Sequence, residues 1–256
     1  MDDSKEFEMR NREQIKRQGN SKKLNLLSSE WFEESVKTEY TYHFEWLGRP
    51  IIQMPQDLLA MQKIIWDTKP DLIIEMGVAR GGSIIFYASL LKMLQICEPG
   101  QNRHVLGVDV DIREHNKKCI LSHPMADIIT LFEGSSIDPL TIEYCNKFAA
   151  QFEKVLVVLD SNHTHEHVLE ELKAFSSLVS VGSYCIVFDT VIDELSNENF
   201  LDKPWDNAAN PKTAVHEFLS NIEKDNNIKL EFEIDREIQS TLMLTVAPDG
   251  YLKRLA

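Results

Sequence analysis

The stretch Glu75-Met-Gly77-Val-Ala-Arg80-Gly81-Gly82-Ser83 has the residue types and spacing of a ligand-binding loop. It follows the apolar run Leu72-Ile73-Ile74 and leads into Ile84-Ile85-Phe86-Tyr87-Ala88-Ser89-Leu90-Leu91, so a strand stops, glycines turn the chain and a helix begins. Backbone N–H groups and a helix N-terminus then approach a nucleotide-like ligand, with no Cβ at Gly77, Gly81 or Gly82 in the way. A dinucleotide fingerprint needs G-x-G-x-x-G, and here Glu75 and Arg80 stand at its first and third glycine positions. An acid at a strand tip suits a cationic, hydroxyl-bearing ligand better than a pyrophosphate, because like charges repel at short range. The E-x-G-x-x-x-G form therefore points to S-adenosylmethionine rather than NAD.

Asp109 closes a second strand and is suited to accept both hydroxyls of an adenosine ribose; capping the next helix is its alternative role. Its distance from the glycine loop exceeds the usual gap of about 20 residues, which the polar Ile96–Arg103 insertion explains. Ser135 and Ser136 follow a third strand and either line the adenine edge or cap a helix. The cofactor set expected from the sequence is thus Glu75, Gly77, Arg80, Gly81, Ser83, Asp109, Ser135, Ser136 and Asp160.

A second cluster is Asp160-Ser-Asn-His163-Thr-His165-Glu166-His167. Two strand-tip acids, Asp160 and Asp189, with imidazoles nearby in sequence can hold a hard divalent ion such as Mg²⁺ and supply a base. Such an ion orients a substrate hydroxyl and lowers its pKa. Zinc is disfavoured: alternate spacing leaves only His163 and His167 on one helical face, and a helix starting at Thr164 breaks that pair. With Thr164 as N-cap, His165 and His167 become solvated first-turn residues, and His163 is the stronger candidate.

The elements that must position these residues alternate regularly. Strands are expected over Asp71–Glu75, His104–Asp109, Ile128–Glu133, Val155–Asp160 and Ser183–Asp189, with helices over Gln56–Thr68, Gly82–Gln95, Arg113–Leu121, Pro139–Phe152, His165–Leu178 and Lys212–Lys224. Short apolar strands alternating with helices imply a mostly parallel α/β sheet covered on both faces, with the ligand crevice at the carboxyl ends of the strands. Leu230–Ile234 and Thr241–Ala247 read as two closing strands, an antiparallel pair at the sheet's edge. The polar stretch from Thr190 to Pro211 is long enough to be a functional loop, a lid in which Trp205 and Asn207 offer substrate walls. Residues 1–45 form an N-terminal extension. Its first 23 residues read as a frayed helix, a disordered arm or an oligomer contact, and its aromatics from Trp31 onward read as a cover packed on the core.

At 256 residues and 43% hydrophobic content, one α/β domain with an extension is expected. The net charge of −14 repels nucleic acid and anionic lipid surfaces. Cys97, Cys119, Cys145 and Cys185 lack C-x-x-C spacing and read as reduced, mostly buried thiols. With a charged N-terminus and no spanning apolar run, a cytoplasmic, self-associating protein is expected.

With these motifs assembled, the chain resembles the cephalosporin hydroxylase family, which has the class I S-adenosylmethionine methyltransferase fold and includes cephamycin-pathway and rhamnosyl O-methyltransferase relatives. The likeness runs from about Trp46 to Arg254. It is carried by Trp46-Leu-Gly-Arg-Pro50, the Pro70–Ser83 stretch, Leu159–Val168, Gly182-Ser-Tyr184, Asn210–Val215 and Gly250-Tyr-Leu-Lys-Arg254. The resemblance implies a Rossmann-like seven-stranded sheet with an antiparallel closing strand, a cofactor site at Glu75–Ser83 and Asp109, and a Mg²⁺ site at Asp160 and Asp189. Some relatives place a Glu immediately before the second Asp, where this chain has Phe188. The expected activity is methyl transfer from S-adenosylmethionine to a hydroxyl of a small molecule, with a sugar preferred on the rhamnosyl relatives. His163 and Asp160 are the catalytic pair, and His163, Trp205 and Asn207 face the substrate. An NAD-dependent oxidoreductase and a non-catalytic assembly protein on the same fold are the rival readings.

Overall fold

The computed structural model describes residues 3–225 and 229–256. Two helices open the chain, α1 (Asp3–Gly19) and α2 (Lys22–Val36), followed by a small antiparallel pair, β1 (Phe44–Trp46) and β2 (Arg49–Ile51). Leu47 and Gly48 join that pair with φ of 46° and 79°, a two-residue turn with both central residues in the left-handed region. The main body then runs α3 (Pro55–Thr68), β3 (Leu72–Met76), α4 (Gly82–Cys97), β4 (His104–Asp109), α5 (Glu114–Leu121), β5 (Ile129–Glu133), α6 (Pro139–Ala149), β6 (Val155–Leu159), α7 (His165–Phe175) and β7 (Tyr184–Val187). Short 3-10 turns over Thr190–Glu194 and Asn197–Phe200 lead to α8 (Pro211–Lys224), β8 (Phe232–Ile234), α9 (Arg236–Leu242) and β9 (Tyr251–Arg254).

The seven strands of the main sheet lie in the order β5-β4-β3-β6-β7-β9-β8. Pairs from β5 to β7 are parallel, whereas β9 runs antiparallel to both β7 and β8. Strand order reverses between β3 and its neighbours β4 and β6, which opens the crevice where such sheets bind ligands. Every residue of β3, β6 and β7 is buried, as parallel strands covered on both faces must be.

Period-two alternation divides the core. Ile73, Val105, Leu156, Val158 and Ile186 pack with α3 and α4 on one face, while Leu72, Ile74, Met76, Val157 and Val187 pack with α6, α7 and α8 on the other. Glu75 shares the parity of Ile73 and is therefore turned under α4.

The sheet's parallel half follows the expected strands closely, but the last strand does not. Thr241–Ala247 is the end of α9 and a loop, and the closing strand is Tyr251–Arg254. The reason is Asp57 at the start of α3, a fully buried carboxylate. It accepts Val246 N at 2.8 Å, the Tyr251 hydroxyl at 2.7 Å and the Thr245 hydroxyl, so the backbone of this apolar run is tied to a side chain rather than to a ladder.

The N-terminal helices are formed rather than disordered, and α1 buries no residue. Its end docks on α9, where Gln18 Nε2 donates to Ser240 O at 2.9 Å. The aromatic cover is an edge-to-face chain, Trp31–Tyr40–Phe44 at 5.0 and 5.1 Å, and Trp46 packs at 4.9 Å on Phe86 while donating to Ser89. Cys145 and Cys185 are buried, and burial pushes the Cys145 thiol up to about 12; Cys97 and Cys119 are exposed, so the expectation of buried thiols holds for one pair. No helix among the described residues is long and apolar enough to cross a membrane.

Candidate active site

The glycine loop wraps the carboxyl end of β3. Gly77 has φ +100°, and a Cβ there would overlap the carbonyl oxygen of Asp160 at the end of β6. Gly81 has φ +80° and opens α4, with Ile120 of α5 where its Cβ would be. Asp109 Oδ2 accepts Val78 N at 2.8 Å and Ala79 N at 3.1 Å, so the acid at the tip of β4 also holds the loop in shape. Arg49 and Asn116 brace the loop from outside, with Asn116 Nδ2 donating to Ala79 O at 3.0 Å.

A recess of about 40 Å³ lies at this loop, lined by Pro50, Ile52, Gln53, the residues from Gly77 to Ser83, and Asp160. Gly77, Arg80, Gly81, Ser83 and Asp160 thus meet as the spacing requires. Glu75 does not line the recess. The strand runs on to Met76, and the Glu75 carboxyl lies fully buried beneath α4, accepting from Ser83 Oγ at 2.7 Å beside the Tyr87 hydroxyl. Burial pushes its pKa up to about 8, against the hydrogen bonds from Ser83 and Tyr87. Glu75 thus lies beneath the loop rather than on the recess wall, and its bond from Ser83 supports the first turn of α4.

Ser136 is buried and its hydroxyl meets His167 Nε2 at 2.9 Å, while the Ser135 carbonyl accepts Asp138 N at 3.0 Å. His165 bonds Thr213 Oγ1 at 2.7 Å and Glu217 at 3.0 Å, bridging α7 to α8. Neither His165 nor His167 is a solvated first-turn residue; sequence proximity concealed partners that other elements bring in. Thr164 makes no side-chain cap, and instead Asn162 Oδ1 accepts Thr164 N at 2.9 Å.

The reactive cluster forms past the tips of β6 and β7. One ligand atom each of Asp160, His163 and Asp189 lies within 4.8 Å of the others. His163 Nε2 is 3.0 Å from Asp189 Oδ2 and 4.0 Å from Asp160 Oδ1. Asp189 sits in the left-handed region at φ 56°, a cost of roughly 1–3 kcal/mol that persists at sites where the surroundings fix the backbone. Burial holds the Asp160 carboxyl well above the usual range, reinforced by the charge of Asp189. Burial lowers the His163 pKa, but the charge and hydrogen bond of Asp189 outweigh it and the net shift is upward. Gln53, which sequence reasoning missed, is buried and donates to Asp160 Oδ2 at 3.1 Å across 107 positions of chain. Its one sequence signal is its place just after the Trp46–Pro50 motif.

Two carboxylates and an imidazole at these distances fit a hard divalent cation, whose preferred donors are oxygens and which keeps several waters. Phe188 is buried in the core, so the position before Asp189 supplies no third carboxylate. Over the cluster lies the 190–211 segment: the Trp205 ring centroid is 4.7 Å from that of His163. Asn207 lies in the same segment. It is exposed and braces the segment, exchanging bonds with Asn197 at 2.8 and 2.9 Å.

Residues 38–255 match the family model described as Rhamnosyl O-methyltransferase/CmcI. The Rhamnosyl O-methyltransferase of Mycobacterium bovis (strain BCG / Pasteur 1173P2) is 28% identical over 221 residues, covering 86% of this chain and 80% of that protein. Among solved structures, the apo form of CmcI-N160 superposes with a TM-score of 0.59 at 21% identity, covering 84% of this chain and 77% of the other. The Mg–SAM complex of CmcI-D160 gives 0.55 at 20%, covering 84% and 78%. The family match spans the glycine loop, the acid–imidazole cluster and the segment above it, and the chain belongs to the Rhamnosyl O-methyltransferase/CmcI family.

Proposed function

We propose that the chain transfers a methyl group from S-adenosylmethionine to a hydroxyl of a sugar. The observation that carries this reading is the convergence of Asp160, His163 and Asp189 within 4.8 Å beside the glycine-lined recess. The acceptor oxygen attacks the sulfonium methyl in line: a C–O bond forms, the C–S bond breaks, and its electron pair leaves sulfur as a neutral thioether. The hydroxyl proton passes to His163, and the imidazolium so formed is held by Asp189 at 3.0 Å. With Nε2–H donating to Asp189, it is Nδ1 that takes the proton.

Gly77, Arg80, Gly81, Ser83 and Asp109 hold the donor, with Glu75 supporting the loop from below and Ser135 and Ser136 at the adenine side. Asp160 and Asp189 would hold Mg²⁺, which when bound lowers the pKa of the acceptor hydroxyl and orients it. The 190–211 segment is the lid, with Trp205 as the wall that excludes water. The name of the curated relatives supports a rhamnosyl or similar sugar as acceptor. Exposed Phe7, Met9, Leu26 and Leu27 on α1 and α2 support self-association, and unpaired cysteines support a cytoplasmic setting.

The test is incubation with S-adenosylmethionine and a panel of rhamnosides, with and without Mg²⁺, reading methylated product by mass spectrometry. Cofactor binding with no product from any hydroxyl acceptor would remove the catalytic claim.

A further inference from the structure

We propose that the cavity of about 440 Å³ between the N-terminal helices, the start of the lid and α9 is a subsite for a second, uncharged sugar residue of the acceptor. This rests on the sugar O-methyltransferase reading above and narrows it from any rhamnose-like acceptor to a neutral glycan or glycoside.

Position comes first. Val191, Glu194 and Leu195 form one wall and begin two residues after Asp189. At about 2 Å of rise per residue in a 3-10 turn, Glu194 is within roughly 10 Å of Asp189 along the chain. Thr245 and Pro248 form another wall, just before β9. Because β9 is antiparallel to β7, its first residues stand at the same sheet edge as the end of β7, and Thr190 Oγ1 donates to Pro248 O at 2.7 Å. The cavity and the reactive cluster therefore share one edge of the sheet, separated by a single turn of chain. It is also a built cavity. A Cβ on Gly19 would overlap the Ser240 side chain, so α1 closes directly on α9, and Glu33 of α2 accepts Ser196 N at 3.1 Å and Asn199 Nδ2 at 2.8 Å from the lid.

Chemistry decides the ligand. Asn25, Ser28 and Ser29 of α2 face Gln239 and Ser240 of α9, an array of amides and hydroxyls that can both donate and accept. The size lies in the usual range for small-molecule sites. A nucleotide diphosphate is a poor match. The cavity's cation, Arg236, is already 3.1 Å from Asp249, and Lys212, beside the opposite wall, is already 2.7 Å from Glu194, so both cations are engaged before a diphosphate arrives. A ring of neutral hydroxyls meets neither obstacle.

The test compares three acceptors: methyl α-L-rhamnopyranoside, its rhamnosyl-extended disaccharide glycoside, and a nucleotide-diphosphate rhamnose. The disaccharide is expected to show kcat/KM about tenfold above the monosaccharide. Ser28→Trp and Ser29→Trp, which fill the cavity from two positions, are expected to bring that ratio to about one, with S-adenosylmethionine affinity retained as the control for folding. A wild-type ratio near one, a ratio that survives both substitutions, or preference for the nucleotide sugar overturns the subsite. If no acceptor is methylated, the methyltransferase reading fails, and saturation-transfer NMR with the disaccharide still decides the cavity. Saturation that reaches the sugar protons in the wild-type protein and vanishes in both tryptophan variants supports the subsite. No saturation transfer from the wild-type protein overturns it.

Discussion

Gly77 and Asp160 lie so close that the missing side chain of the first is the room taken by the backbone carbonyl of the second. The glycine loop of β3 and the acid tip of β6 are thereby one unit, with the glycine-lined recess and the Asp160–His163–Asp189 cluster on either side of a single contact.

Gly77→Ala combines a left-handed backbone with that overlap, and neither can relax by rotating a side chain. We expect a loss of at least about 2 kcal/mol in stability and a fall of about 100-fold or more in S-adenosylmethionine affinity. Calorimetry beside a thermal melt reads both, and wild-type affinity in a folded Gly77→Ala protein would show that the loop is not the donor site.

Glu75→Gln should retain S-adenosylmethionine affinity within about threefold, because a carboxyl whose pKa is pushed up to about 8 is already uncharged near neutrality. Glu75→Ala, which removes the acceptor for Ser83, should weaken binding by about tenfold. Loss in the Gln variant equal to that in the Ala variant would restore a role for charge.

His163→Gln keeps size and polarity but cannot act as a base. A drop in kcat of about 10²–10⁴ is expected, with the donor's Kd unchanged within about twofold. Direct binding plus single-turnover rates separate the two, and a kcat within about tenfold of wild type would move the proton to another acceptor.

Asp57 sets a pH dependence of folding. Burial raises its pKa from 3.8 to about 6 against the bonds from Thr245, Val246 and Tyr251, so between those values the folded state holds a proton that the unfolded state has lost. Stability therefore falls as pH rises from about 4 to 6, by roughly 1 kcal/mol per unit from this group. Asp57→Asn should flatten that slope in urea melts between about pH 4 and 6, while lowering stability near neutrality through the loss of an acceptor for Val246 N–H. An unchanged slope would show that another group sets it.

The parallel core was legible because β3, β6 and β7 are short apolar runs whose two faces are both buried, and its glycine loop because Gly77 and Gly81 need backbone angles other residues avoid. Asp160, His163 and Asp189 were legible because strand tips share an edge. Thr241–Ala247 misled because an apolar run buried in a loop has the composition of a strand, and its partner, Asp57, lies nearly 190 positions earlier. Gln53, His165 and His167 depend on partners from other elements, which local pattern does not encode. Glu75 was legible as the acid of the loop motif, but not its depth: β3 runs one residue further, to Met76, and places the Glu75 side chain in the interior.

Asp57 also bears on the order in which the protein is made. Every parallel strand precedes residue 190, so that half of the sheet can assemble while the chain is still emerging. The carboxylate at the head of α3 waits, without its three donors, until the stretch from Thr245 to Tyr251 leaves the ribosome. A chain that stops before Thr245 would keep the whole glycine loop yet lack β9 and the three bonds that hold Asp57, so premature termination removes stability from a sheet whose parallel half is intact.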